Sequence, residues 1–225
     1  MRMKTVKPFR FRVMLVLITG LAAFISCTTE PPGEQYMLTG SVTMATDNSD
    51  MAAFVMCFSE SMMPVMDESA TVTINGVDIP PTFMGYGKSD LIPVAVGGNV
   101  TFHFAYDGAD FTSTRPMPAK PTITTADGSP YDPGTPITID WNTVVPTPDS
   151  IEVMIMFNTV SGESYVEDLP GNATSHTIPA GTLTANNFVT VVVMAINSET
   201  NLGGRFSATS YIVCNQNEVT IDTIP

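Results

Sequence analysis

From Tyr36 onward the apolar positions fall in short runs of Val, Ile, Thr and Phe. Gly, Pro, Asn or Asp breaks these runs roughly every ten residues, the punctuation of strands joined by tight turns. No long stretch carries helical apolar spacing with good caps. In the first half the pattern predicts strands at 37–46, 52–58, 70–74, 92–96, 99–106 and 111–114. Asn75-Gly76 follows the run ATVTI, and both residues tolerate positive φ, so a tight hairpin turn is expected there. Gly97-Gly98 and Asp107-Gly108 are two further turns of this kind.

Pro116, Pro118 and Pro121 crowd one short segment. Proline cannot donate to a central ladder, so the segment reads as a stiff connector. The expected fold class is all-β, with two small antiparallel β-sandwich domains at 36–115 and 121–225 joined by 116–120. In the second domain, Pro121-Thr122-Ile123-Thr124 is followed by Pro136-Ile137-Thr138-Ile139-Asp140-Trp141 and Ile151-Glu152-Val153-Met154-Ile155-Met156-Phe157. Then come Ser175-His176-Thr177-Ile178-Pro179-Ala180 with Leu183, the alternating Val189, Val191, Val193, Ala195 and Asn197, and a run over 208–214. This series resembles a fibronectin type III or related immunoglobulin-like module. The resemblance implies a sandwich whose second strand buries a Trp, which makes Trp141 a core residue rather than a ligand platform.

The N-terminus has a different pattern. Arg2, Lys4, Lys7, Arg10 and Arg12 precede an uncharged apolar run over 13–25, VMLVLITGLAAFI. A signal h-region spans about 7–15 residues and a membrane-crossing helix about 20, so the run reads as an export signal. It ends Phe24-Ile25-Ser26-Cys27, which resembles the lipobox of bacterial lipoproteins: a bulky apolar residue, then a small residue before an obligatory Cys. The resemblance implies that residues 1–26 are a signal peptide. Cys27 then becomes the acylated first residue, attached to the membrane through its sulfur. The polar segment 27–35 is expected to be a tether. Thr28 stands where an inner-membrane retention signal has Asp, so the resemblance implies a cell-envelope location favouring the outer membrane.

Removing the signal changes the charge balance. Of the nine Lys and Arg, five lie before Cys27; the remaining four face all 22 Asp and Glu, leaving −18. A chain so acidic repels nucleic acid, which is excluded as a partner. Three cysteines are present. With Cys27 lipidated, Cys57 and Cys214 are left in an oxidising compartment that allows a disulfide between them; the alternative is two separately buried thiols, since a free Cys is itself at home in a core.

Little in the sequence points to catalysis. His103 and His176, the two histidines, have no Cys or His at ligand spacing, and no nucleophile elbow, HExxH or phosphate-cradling loop is present. Asp107 with Asp110, and Asp127 with Asp132, sit in turn-like segments without a full calcium ligand series. The unusual stretch is MAAFVMCFSESMMPVM over 51–66, where Met51, Met56, Met62, Met63 and Met66 surround Cys57. Thioethers and a thiolate suit Cu(I), while flexible Met also fills irregular cores. The leading expectation is a lipid-anchored, non-catalytic binding or scaffold protein with no cofactor, acting on a protein or glycan partner. The alternatives are a copper-handling lipoprotein using 51–66 and an accessory module of a surface polysaccharide-processing system.

Overall fold

The computed structural model describes residues 35–225 except 46, 127, 157, 158 and 204. The expected signal peptide, Cys27 and the tether through residue 34 lie outside the described residues. Every regular element among the described residues is a β-strand, so the chain is all-β. It divides into two units, each assembled from separate stretches of sequence.

The first unit takes the chain through Pro93, then Thr101–Thr114 and Glu199–Ile212. Its strands are β1 (Tyr36–Met44), β2 (Met51–Ser59), β3 (Thr71–Ile74), β4 (Val77–Asp78), β5 (Pro81–Thr82), β6 (Gly85–Leu91), β7 (Asn99–Tyr106) and β8 (Ala109–Pro116). One sheet runs β1-β2-β6-β5 and the other β4-β3-β7-β8. Antiparallel pairing of β1 with β2 sets Leu38 opposite Cys57, Val42 opposite Ala53 and Met44 opposite Met51. Side chains directly opposite share a face, and all six of these are buried.

In β7 the buried Val100, Phe102 and Phe104 alternate with Thr101, His103 and Ala105. The Phe102 ring stacks on Tyr211 at 5.1 Å and meets Phe111 at 5.8 Å. Gly40 makes room for it: a Cβ there would lie 3.2 Å from the ring, tighter than packing tolerates without a shift. Asn75-Gly76 and Asp107-Gly108 both adopt positive φ, closing the β3–β4 and β7–β8 hairpins. The strand expected at 92–96 is instead β6, one segment earlier. Pro93 removes a ladder donor, and Ile92 is 83% exposed. The weakly β-forming GYGKSDL is held by pairing with β2, which places Tyr86 opposite Val55 and buries its ring.

The second unit takes Val94–Val100, Arg115–Ser198 and Val213–Pro225. Its strands are β9 (Ser129–Tyr131), β10 (Ile137–Asp140), β11 (Ser150–Met156), β12 (Tyr165–Pro170), β13 (Ser175–Ile178), β14 (Phe188–Gly203) and β15 (Phe206–Thr223). The sheet β12-β11-β14-β15, with β9 parallel to β15, accompanies the pair β10-β13. Ile137, Ile139, Trp141, Ile151, Val153 and Val191 meet in one core. Trp141 is buried there, and its Nε1–H donates to the Ala173 carbonyl at 2.8 Å. The buried indole therefore keeps a partner for its polar atom.

The domain expected at 121–225 is not a single stretch. Strands predicted at 189–197 and 208–214 run on to 16 and 18 residues. Their far portions, Glu199–Ile212, belong to the first unit. Phe206 and Tyr211 add rings to the aromatic core around Phe102 and Phe104.

Candidate binding cleft

Beyond β2 the sequence SESMMPVMDES turns back on itself through its own backbone. Ser59 N–H donates to the Met63 carbonyl at 3.0 Å, Met62 N–H to the Ser59 carbonyl at 2.9 Å, and Val65 N–H to the Cys57 carbonyl at 2.8 Å. This sets Pro64 beside Phe58 and leaves Met62, Met63 and Met66 exposed. The next turn is organised by Asp67, whose Oδ1 accepts from Ser69 N–H at 2.8 Å. The Asp67 carbonyl accepts the Tyr86 hydroxyl at 3.1 Å, and Oδ2 lies 3.5 Å from the Tyr106 hydroxyl.

Between this turn and β1 lies an open cleft of about 660 Å³, lined by Tyr36, Met63, Met66, Asp67, Glu68 and Tyr106 among others. Two tyrosines are among its lining residues, the buried Tyr36 and the partly exposed Tyr106, whose rings stand edge to face at 5.7 Å. The Asp67 turn is held by its neighbours. The Ser69 backbone N–H, then the Ser69 hydroxyl, hold the Asp67 carboxyl below its ordinary range. Burial pushes the Tyr86 phenol up to about 12, so it remains a neutral donor to the turn.

At one margin the Tyr36 hydroxyl donates to Asp107 Oδ2 at 3.2 Å. Arg205 Nη2 donates to the same oxygen at 2.9 Å and Nη1 to the Asp107 carbonyl. The guanidinium carbon stands 5.5 Å from the Tyr36 ring centre, within cation–π range. Hydrogen bonds from Arg205, then from Tyr36, lower the Asp107 carboxyl. Among the described residues, those that line the cleft include no Lys or Arg.

The sequence-predicted residues are distributed otherwise. Cys27 lies outside the described residues. Of the two readings of Cys57 and Cys214, a disulfide or two separately buried thiols, the structure has the second: each is a buried thiol. Burial pushes Cys57 up to about 12, so it is a neutral thiol rather than a thiolate ligand. The soft-ligand cluster of 51–66 is not brought together. Met51 and Cys57 share the core face of β2, and Met56 points to the other face by strand alternation. Met62 and Met63 are 56% and 64% exposed on the following turn.

Asp110 pairs with His103 at 3.4 Å across the β7–β8 hairpin. Asp132 Oδ1 accepts from Gly134 N–H at 2.7 Å, a turn residue bonding its own backbone; Asp127 lies outside the described residues. His176 bonds the Tyr165 hydroxyl, and burial lowers its pKa.

Sequence reading missed Tyr36, Tyr106, Asp67 and Glu68 because only the turn after β2 joins them. It also missed Glu152, whose position inside the apolar run IEVMIM was the available signal. Glu152 is buried, its Oε1 has no hydrogen-bond partner, and burial followed by the cross-strand Asp168 pushes its carboxyl up to about 7.

No protein-family model matches the sequence, and no curated protein matches it. Among solved structures the chain resembles the crystal structure of chicken CNTN1 FN1-FN3 domains, at 12% identity and a TM-score of 0.31, over 83% of this chain and 67% of that one. So distant a likeness carries no argument. The class assigned, an all-β protein of packed sheets, rests on the strands and cores of this chain itself.

Proposed function

We propose that this protein is a lipid-anchored, non-catalytic binding module of the bacterial cell envelope, and that the cleft of the first unit is its binding site. The cleft carries the reading. Its walls are held by backbone hydrogen bonds and by an Asp67 turn tied to Tyr86 and Tyr106. Its lining combines tyrosine rings, thioethers and carboxylates, groups that grip a ligand by surface and charge. The lipobox-like Phe24-Ile25-Ser26-Cys27 supports anchoring through Cys27, and the tether to residue 35 would hold the cleft away from the bilayer. Trp141, buried in the second unit's core, supports a fibronectin type III-like reading of that part.

Anchoring is tested by expressing the full chain and its Cys27→Ser variant with and without globomycin. The parent should fractionate with membranes and should accumulate under the drug as a precursor retaining residues 1–26. The variant should do neither. Identical processing and membrane recovery of the two proteins would refute the anchor.

A further inference from the structure

The cleft's chemistry specifies a ligand class, given the reading of it as a binding site. We propose that it takes an organic cation: an amine or guanidinium group on an aliphatic stem. Three features converge. The first is charge. Asp67 and Glu68 both line the cleft, and the Ser69 hydrogen bonds lower the Asp67 carboxyl from its ordinary range. The rest of the chain after Cys27 carries a large negative excess, which raises the local concentration of cations near any acidic concavity.

The second is surface. Tyrosine faces attract cations through the ring quadrupole, and this corner already shows that pairing within the chain, where Arg205 stands over Tyr36 beside the Asp107 carboxylate. A ligand ammonium between Tyr106, Asp67 and Glu68 would repeat the same combination of ring and carboxylate. The third is size and softness. About 660 Å³ far exceeds a bare metal ion and matches a small organic ligand. Met63 and Met66 supply unbranched, polarisable side chains that adapt to an alkyl stem. A neutral sugar could use the rings and hydrogen-bond the carboxylates, but it lacks the charge–charge attraction that an amine or guanidinium has for them.

The test is titration calorimetry on the soluble chain beginning at Thr28, with spermidine and N-acetyl-lysine methylamide as cationic probes and a neutral oligosaccharide as the third ligand. Asp67→Asn keeps the Oδ1 acceptor for Ser69, so the turn is preserved. The double variant Asp67→Asn/Glu68→Gln should weaken spermidine about tenfold or more, as loss of close opposite charges predicts. Added salt should weaken the parent further. A control, Asp78→Asn/Asp90→Asn, removes the same net charge outside the cleft lining and should leave affinity nearly unchanged.

Equal losses in both doubles would mean diffuse attraction by the acidic surface and would overturn the proposal. Binding of the oligosaccharide but neither amine would overturn the ligand class while leaving the cleft as a binding site. Binding of none of the three would reject the organic-cation class outright. Membrane fractionation of the Cys27→Ser variant reads the anchor separately from all of these. Circular dichroism melts of each variant identify a loss that comes from unfolding, and Tyr106→Phe, which keeps the ring, should then retain most of the affinity.

Discussion

Glu152 is a carboxyl group in a place that disfavours its charge, and replacing it tests how the second unit depends on pH. It lies on β11 directly opposite Asp168 on β12 and Met194 on β14. Burial, then the Asp168 charge, raises its pKa from 4.5 to about 7. A raised carboxyl binds its proton more tightly folded than unfolded. Its contribution to stability is therefore full below about 4.5 and is lost progressively as pH rises to about 7. The difference of about two and a half pH units corresponds to about 3 kcal/mol between the two ends of that window. Glu152→Gln keeps the shape and removes the titration. The free-energy difference between variant and parent should be near zero at pH 4.5 and should grow in the variant's favour, by up to about 3 kcal/mol, on reaching pH 8. Urea unfolding followed by Trp141 fluorescence, repeated across that range, measures it within the same unit. Other titrating groups, such as His176, are common to both proteins and cancel in the difference. A difference independent of pH would refute the reasoning. Asp168→Asn is the internal check, since removing the second cause should move the transition to lower pH.

Two further outcomes follow from buried groups. Trp141→Ala should cost about 3–5 kcal/mol, as large buried aromatics do. Trp141→Phe should retain most of that and lose chiefly the Nε1–H bond to Ala173, worth about 1 kcal/mol; equal losses in circular dichroism melts would show that the ring is not packed as described. In a Cys27→Ser background, native protein should resist thiol alkylation because Cys57 and Cys214 are buried and Cys57 is a neutral thiol. Urea-denatured, unreduced protein should label at both positions, whereas a disulfide would leave both unlabelled.

The β class was legible because its signals are local. Alternation in NVTFHFAY names its own buried face, and Asn-Gly and Asp-Gly name their own turns through backbone sterics. The strand at 85–91 was illegible for the opposite reason. GYGKSDL has little intrinsic preference for a strand and is held there by β2, a dependence that propensity does not encode. The extent of β14 and β15 was missed because SETNLGGRFS reads as a loop by composition, yet most of it continues two strands. The cleft was the least legible feature. Tyr36, Asp67 and Tyr106 are far apart in sequence, and a backbone turn rather than any motif gathers them. The Met-rich stretch is ambiguous in sequence, open to a soft-ligand site or to flexible filling; strand parity sends Met56 and Cys57 to opposite faces, while Met63 and Met66 both line the cleft.

The contribution of Glu199–Ile212 to the first unit sets the order in which this protein can be finished. The unit's first strand begins at Tyr36, yet two of its core rings, Phe206 and Tyr211, come more than 100 residues after Phe104 and Phe102, on which they pack. During synthesis Phe102 and Phe104 emerge long before these partners. Until then, apolar strand faces stand uncovered, and pairing across such long separations in sequence is slow. A nonsense mutation near residue 199 would therefore damage the unit that was made first. The uncovered strand faces of the N-terminal half are therefore the part of this chain most open to mispairing until Glu199–Ile212 is in place.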